Sequence, residues 1–295
     1  VSEAGDARIL DRGYRRYDGP RTGQTGAVRS LITHSVQRAL GLRRPVSAKI
    51  LPALSVFIAY VPAIVFVGIT VLFQEVLVAQ PDVIPSYSDY YGYVTAAIVV
   101  FTAFVAPELL CGDRRDRMLG LYLASPLTRN TYLASKAAAV MGVLGLVTLG
   151  PPLFLLLART IAGTGPDGPG AVFELLWQMV VAGVVIAALQ ASLSLAVASF
   201  TTRRAAASAA IILILIGSAA VSETLLDTGD TGDGVFLLNL FALPFELVHR
   251  VYGDPPGVDR SASLSTGVLL AAYLGWTVAF GLLAWVRYRR IEVTR

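Results

Sequence analysis

Six apolar runs, each long enough to cross a lipid bilayer, decide what this chain can fold into. They cover Ile50 to Phe73, Tyr90 to Leu110, Tyr132 to Ala158, Phe173 to Phe200, Ala205 to Leu226 and Thr266 to Val286. A hydrocarbon core about 30 Å thick is crossed by roughly 20 residues of α-helix. The expected fold class is therefore an all-α polytopic membrane protein with six transmembrane helices. Composition excludes the soluble alternative: 55% of the 295 residues are hydrophobic and 15% charged, too few charges for a water-facing surface. Only Thr201, Thr202, Arg203 and Arg204 part the fourth and fifth runs. One helix over 173–226 would be far longer than the bilayer is thick, so two spans joined by a tight turn are expected.

Charge orients the spans. Of 24 Lys and Arg, 10 precede residue 51, 5 lie between 111 and 136, 2 are Arg203 and Arg204, and 4 follow residue 286. The remaining three, Arg159, Arg250 and Arg260, fall on the alternate connections. Cytoplasmic loops carry the excess of Lys and Arg, which places both chain ends in the cytoplasm. The connection between spans five and six agrees, with Asp227, Asp230, Asp233, Glu246, Asp254 and Asp259 against two Arg. The formal charge of +4 is then mostly topology, and no nucleic-acid partner is expected. Arg outnumbers Lys 22 to 2 in a chain dominated by Ala, Val and Leu, which points to a GC-rich bacterial genome. The expected location is a bacterial inner membrane, multi-pass, with membrane lipids around it.

Several elements outside the spans are legible. Residues 1–27 are rich in Gly, Arg, Asp and Thr, and are expected to form a disordered cytoplasmic tail, leaving 28–295 as the transmembrane domain. From Val28 to Leu42, apolar residues recur at three and four residue steps among Arg29, Arg38, Arg43 and Arg44. That pattern predicts an amphipathic helix on the anionic cytoplasmic leaflet, ended by Pro45. In the 108–136 connection, charges at Asp113 to Arg117 precede an apolar patch of Met118, Leu119, Leu121, Tyr122 and Leu123. Ser125-Pro126 should stop this short helix and Thr128 to Asn130 cap the next span. A surface helix tied this closely to two spans is a docking lever. Glu108, at the inner end of span two, is expected to pair with Arg114, Arg115 and Arg117. Between spans five and six, the run from Phe236 to Val248, interrupted by Pro244, predicts a re-entrant or interfacial hairpin. Gly150-Pro151-Pro152 must kink span three.

Common catalytic signatures do not occur. No GxxxxGK[ST] loop is present to cradle nucleotide phosphates, and neither a HExxH nor a GxSxG motif occurs. The Asp-Thr-Gly triplets at 227–229 and 230–232 sit adjacent in one loop, where an aspartic protease needs two facing lobes. One cysteine, Cys111, and two histidines, His34 and His249, assemble neither a disulfide framework nor a Cys/His metal site. Gln178, Gln190 and Ser194 make span four the most polar, either as helix glue or as part of a pathway. An ion-coupled secondary carrier is the alternative reading. It needs a carboxylate at the membrane midplane, and Glu75, Glu174 and Glu223 all fall near span ends.

The stretch from Ala106-Pro107-Glu108 to Lys136 resembles the signature region of ABC-2 type transporter permeases, with Glu108, Arg115, Gly120, Leu121, Leu123, Ser125, Pro126, Leu127, Thr128, Arg129, Tyr132 and Lys136 in the corresponding places. Six spans, an amphipathic N-terminal helix and an apolar hairpin between spans five and six extend the likeness over roughly 28–290. The resemblance implies the permease subunit of an ATP-driven exporter, paired with an identical or a sister permease chain and docked on separate ATP-binding subunits. It implies a coupling helix around Glu108, Asp113, Arg114, Arg115, Asp116, Arg117, Leu119, Leu121, Tyr122 and Leu123, with Val28 to Leu42 as the interfacial connecting helix. It also implies that this chain is not itself an enzyme and binds no cofactor, ATP and Mg belonging to the partner ATPase.

Overall fold

The computed structural model of the protein describes residues 19, 22–42, 44–72, 85–227 and 232–291. Its helices are α1 (Gly23–Ala39), α2 (Val46–Leu72), α3 (Tyr87–Val100), α4 (Glu108–Arg115), α5 (Leu119–Ala124), α6 (Arg129–Thr148), α7 (Gly150–Ile161), α8 (Gly168–Ala198), α9 (Arg204–Asp227), α10 (Leu243–Tyr252) and α11 (Thr266–Arg289). A π-helical segment, Phe101–Val105, joins α3 to α4, and 3-10 turns lie at Asp233–Leu238 and Asp259–Ser261. No strand occurs among the described residues.

Among the described residues, six stretches are long and apolar enough to cross a membrane: Val46–Thr70, Tyr87–Arg115, Arg129–Ile161, Gly168–Ala198, Arg204–Asp227 and Thr266–Arg289. This is the architecture of a multi-pass membrane protein. Most spans outrun their apolar run by a turn or so at one or both ends. The helical hydrogen-bond ladder continues into residues such as Arg129 and Arg289, where hydrophobicity no longer signals it. The end of the first run, at Phe73, and Glu75 lie outside the described residues. Spans four and five are separate helices, as expected, parted at residues 199–203.

Spans two and four form the centre. Two-thirds of each is enclosed by protein (67%), against 17% of span six. Large side chains from several spans fill the core, among them Tyr90, Tyr91, Phe101, Leu144 and Ile186. Span six instead turns Leu270, Leu274, Val278 and Leu282 outward, the apolar exterior that a lipid solvent favours. Span three breaks where expected, between Thr148 and Gly150. Pro151 and Pro152 lack the N–H that would continue the ladder, and their rings crowd the carbonyls four residues back. Both are tolerated because they open α7, where an N–H has no partner anyway. The break packs closely on its neighbours: a Cβ at Gly183 would overlap the Leu149 side chain, and one at Gly150 the Tyr60 hydroxyl.

Three expectations are corrected by α1. It begins at Gly23, inside the segment expected to be a tail, because Ala27 and Val28 already pack against the core. Residues 1–18, 20 and 21 of that segment lie outside the described residues. Gly41, not Pro45, ends the helix: in the left-handed conformation (φ +68°) it lets Leu42 N–H donate to the Gln37 carbonyl at 2.8 Å and its own N–H donate to Arg38 at 3.1 Å. The face expected on lipid is closed against α6, burying Leu31, Ser35 and Ala39.

Between spans five and six the chain makes the 3-10 turn at 233–238 and then α10. Phe236, Leu243 and Val248 are fully buried, and α10 packs on spans two, four and six. Pro244, expected to interrupt this run, sits in the first turn of α10 and helps start it. Of the Asp-Thr-Gly triplets, 228–231 lie outside the described residues.

Candidate functional site

The segments richest in Arg and Lys meet at one end of the bundle, and their geometry centres on Asp113. Its side chain is 1% exposed and takes three partners. Arg38 of α1 donates to Oδ1 at 2.8 Å, while the Lys136 ammonium lies 2.7 Å from Oδ2 and the Tyr132 hydroxyl donates to Oδ2 at 2.9 Å. Lys136 is also 1% exposed and donates to Ser35 Oγ of α1 at 3.0 Å. Its ammonium lies 5.6 and 5.7 Å from the Tyr132 and Tyr122 ring centres, so the aromatic faces add to its stabilisation. Burying a carboxylate is tolerable only when it is ion-paired and hydrogen-bonded, and Asp113 is both. Gly112 makes the approach possible, since a Cβ there would overlap the Arg38 guanidinium. Burial, and next the Asp113 carboxylate, push the Tyr122 phenol above its ordinary range, with Arg38 partly offsetting them.

A second pair of bonds flanks this centre. Glu108 accepts from Arg44 at 2.8 Å and from Arg204 at 3.1 Å, so it ties the start of span one and the start of span five to the end of span two. The expected pairing with Arg114, Arg115 and Arg117 does not form. Those residues lie six, seven and nine positions on, and only i+3 and i+4 side chains face each other on a helix. Arg114 instead donates to the carbonyls of Ala198, Ser199 and Thr201, satisfying acceptors that the end of α8 leaves unbonded. Arg204 also donates to the carbonyl of Phe104, within the π segment, at 3.1 Å. A π segment is a local irregularity found often at functional positions, and here it immediately precedes Glu108.

The handle itself is the exposed remainder. Arg115, Asp116 and Arg117 are open to solvent, and Arg117 takes a left-handed φ of +52° as the chain turns from α4 to α5. In α5, Leu119 is buried and Leu121 is 65% exposed, with Gly120, Tyr122 and Leu123 between these extremes. Ser125 and Pro126 are exposed, and Thr128 caps α6 through a reciprocal capping box with Thr131. Arg129 donates to the Arg289 carbonyl. A groove of 340 Å³ opens beside the handle, bordered by His34, Gln37, Arg38, Leu42, Asp116 and Met118.

The residues considered for a pathway do not form one site. Gln178 is partly exposed and stands twelve residues, about 18 Å, from Gln190 along the same helix. Ser194 donates to the Gln190 carbonyl at 2.7 Å and approaches the Thr102 carbonyl of span two at 3.4 Å, which is the bonding of helix glue. No cluster of three His, Cys, Asp or Glu placed to hold a metal occurs among the described residues. Arg38, Arg44 and Arg204 are the site residues that sequence reasoning missed. For Arg38 and Arg44 the available signal was the Arg of 29–44 with no nearby acid; their acids lie 75 and 64 residues on. No family model matches the chain, and no curated protein matches it.

Proposed function

We propose that this chain is the permease subunit of an ATP-driven ABC-2 type exporter, embedded as a dimer and driven by separate ATP-binding subunits at the Asp113 end. The observation that carries this reading is the contact between an exposed handle, residues 115–126, and a buried ion cluster behind it. The handle is continuous with span two through α4 and opens span three through its capping box. Asp113 fastens the base of the handle to α1 and span three, and Glu108 and Arg114 fasten it to spans one, four and five. A push on Leu121 or Arg117 would reach the spans through these bonds. Asp113 and Lys136 sit too deep to touch a partner, so their proposed role is transmission, and contact falls to Arg115, Asp116, Arg117 and Leu121. The partner supplies the ATP and Mg chemistry, and the concentration of Lys and Arg at this end favours its cytoplasmic placement. An ion-coupled carrier would need a free buried carboxylate, whereas Asp113 and Glu246 are both held by cations.

The test is co-expression with a candidate ATP-binding subunit. The wild-type pair should purify together in mild detergent. Replacing Arg115→Glu, Arg117→Glu and Leu121→Asp together should cut recovery of the ATPase about tenfold or more, as expected for losing interface anchors. If no ATPase co-purifies and transport survives the triple replacement, the reading fails.

A further inference from the structure

The groove between spans three, four and six is not used by the reading above, and its chemistry is that of a lipid site. We propose that it holds one acyl chain of an anionic phospholipid, with the headgroup phosphate on Arg129 and Arg289. The groove encloses 390 Å³ between walls that include Ala137, Met141, Ala188, Ala191, Gly281 and Ala284. Its two hydroxyls are already satisfied within their own helices, Ser192 by Leu189 at 2.9 Å and Thr277 by Tyr273 at 2.8 Å. Nothing inside therefore calls for water, and an apolar occupant fits.

Dimensions choose the occupant. The groove runs along span three from Asn130 to Met141, eleven residues or about 16 Å at the helical rise. That is close to half of a hydrocarbon core about 30 Å thick, the depth of one leaflet. A helix about 10 Å across and of that length would displace on the order of 1,000 Å³, well above the space present. An acyl chain entering from one leaflet matches both depth and volume.

The mouth supplies the headgroup chemistry. Trp285 donates from its indole to Asn130 at 3.1 Å, and the Arg289 guanidinium lies 4.6 Å over the Trp285 ring. Arg129 is held next to it by its bond to the Arg289 carbonyl. Neither guanidinium is ion-paired with a carboxylate among the described residues, although other Arg at this end of the bundle are. Two guanidiniums with no carboxylate partner among the described residues, set beside an indole, form a phosphate-binding edge at a membrane interface.

The chain is purified alone in mild detergent, so the outcome does not depend on any ATPase. Retained lipid is read by native mass spectrometry, and thermal unfolding is followed with added phosphatidylglycerol or phosphatidylcholine. Wild type should retain phosphatidylglycerol and be stabilised by it more than by phosphatidylcholine. Arg289→Gln keeps the backbone carbonyl that Arg129 uses, and should reduce the preference for the anionic lipid roughly fivefold. Gly281→Leu should abolish retention of both lipids while staying monodisperse, because a Cβ at 281 meets nothing within 4 Å and the side chain can enter the groove. Equal retention of the two lipids by wild type overturns the proposal, as does unchanged retention in Gly281→Leu. A Gly281→Leu protein that loses self-association while keeping its lipid shows that the groove is a contact between copies, which also overturns it.

Discussion

Among the described residues the two ends of the bundle each bury one carboxylate, and they connect it in opposite ways. Asp113 draws its partners from far along the chain, Arg38 at a separation of 75 residues and Lys136 at 23. Glu246, also 1% exposed, is bonded within its own neighbourhood: Arg250 one turn on at 3.2 Å and the Gly257 N–H at 3.0 Å. Arg250 then donates to the Ser261 carbonyl at 3.1 Å. The first arrangement welds separate helices together. The second only folds one connection back on itself. A buried charge thus joins separate helices or staples one connection according to the sequence distance of its partners, and the end that joins helices is the one with the exposed handle.

The largest effect expected from breaking this contrast is at Asp113. Asp113→Ala leaves Lys136 buried without its anion and Arg38 with only the longer pair to Asp116 at 3.7 Å, and removing one member of a buried pair costs about 3–5 kcal/mol. The detergent-solubilised protein should unfold at a clearly lower temperature, and hydrogen exchange should rise in α1, α4 and the start of span three together. Adding Lys136→Met should recover part of the loss, since no buried ammonium is then left unpaired and Arg38 still has Asp116 at 3.7 Å. Next comes Glu246→Gln, which weakens two local bonds at about 1–3 kcal/mol. Its faster exchange should stay within 243–264 and leave α1 untouched. If both replacements loosen the same segments, the ends are not distinct.

How far these connections were legible follows from the same contrast. The six spans, the break at Gly150-Pro151-Pro152 and the Thr128 cap are local patterns, so hydropathy, proline chemistry and capping rules locate them. The partners of Glu108 are not local. Sequence proximity suggested Arg114, Arg115 and Arg117, whereas the fold brings Arg44 and Arg204, because pairing across helices depends on packing that no linear spacing encodes. The placement of α1 failed for a related reason. Its apolar residues fit a lipid surface and a protein surface equally well, and Lys136 meeting Ser35 decides between them only in three dimensions.

Smaller effects sharpen the account. Thr128→Ala removes the cap of α6 and should cost about 1 kcal/mol, readable as a modest drop in unfolding temperature. Arg115→Glu with Arg117→Glu should change stability by less than about 0.5 kcal/mol, since both side chains are exposed. Their effect should appear in partner capture alone. A large stability loss from that pair would mean that the handle is part of the packed structure.

The most direct measurement places a photo-crosslinking amino acid at Leu121 in the handle and, separately, at Leu238 near the opposite end, both exposed positions. Each variant is irradiated in membranes that also contain a candidate ATP-binding subunit. The account predicts that Leu121 captures the ATP-binding subunit and Leu238 does not. Capture from neither position, or equally from both, would contradict it.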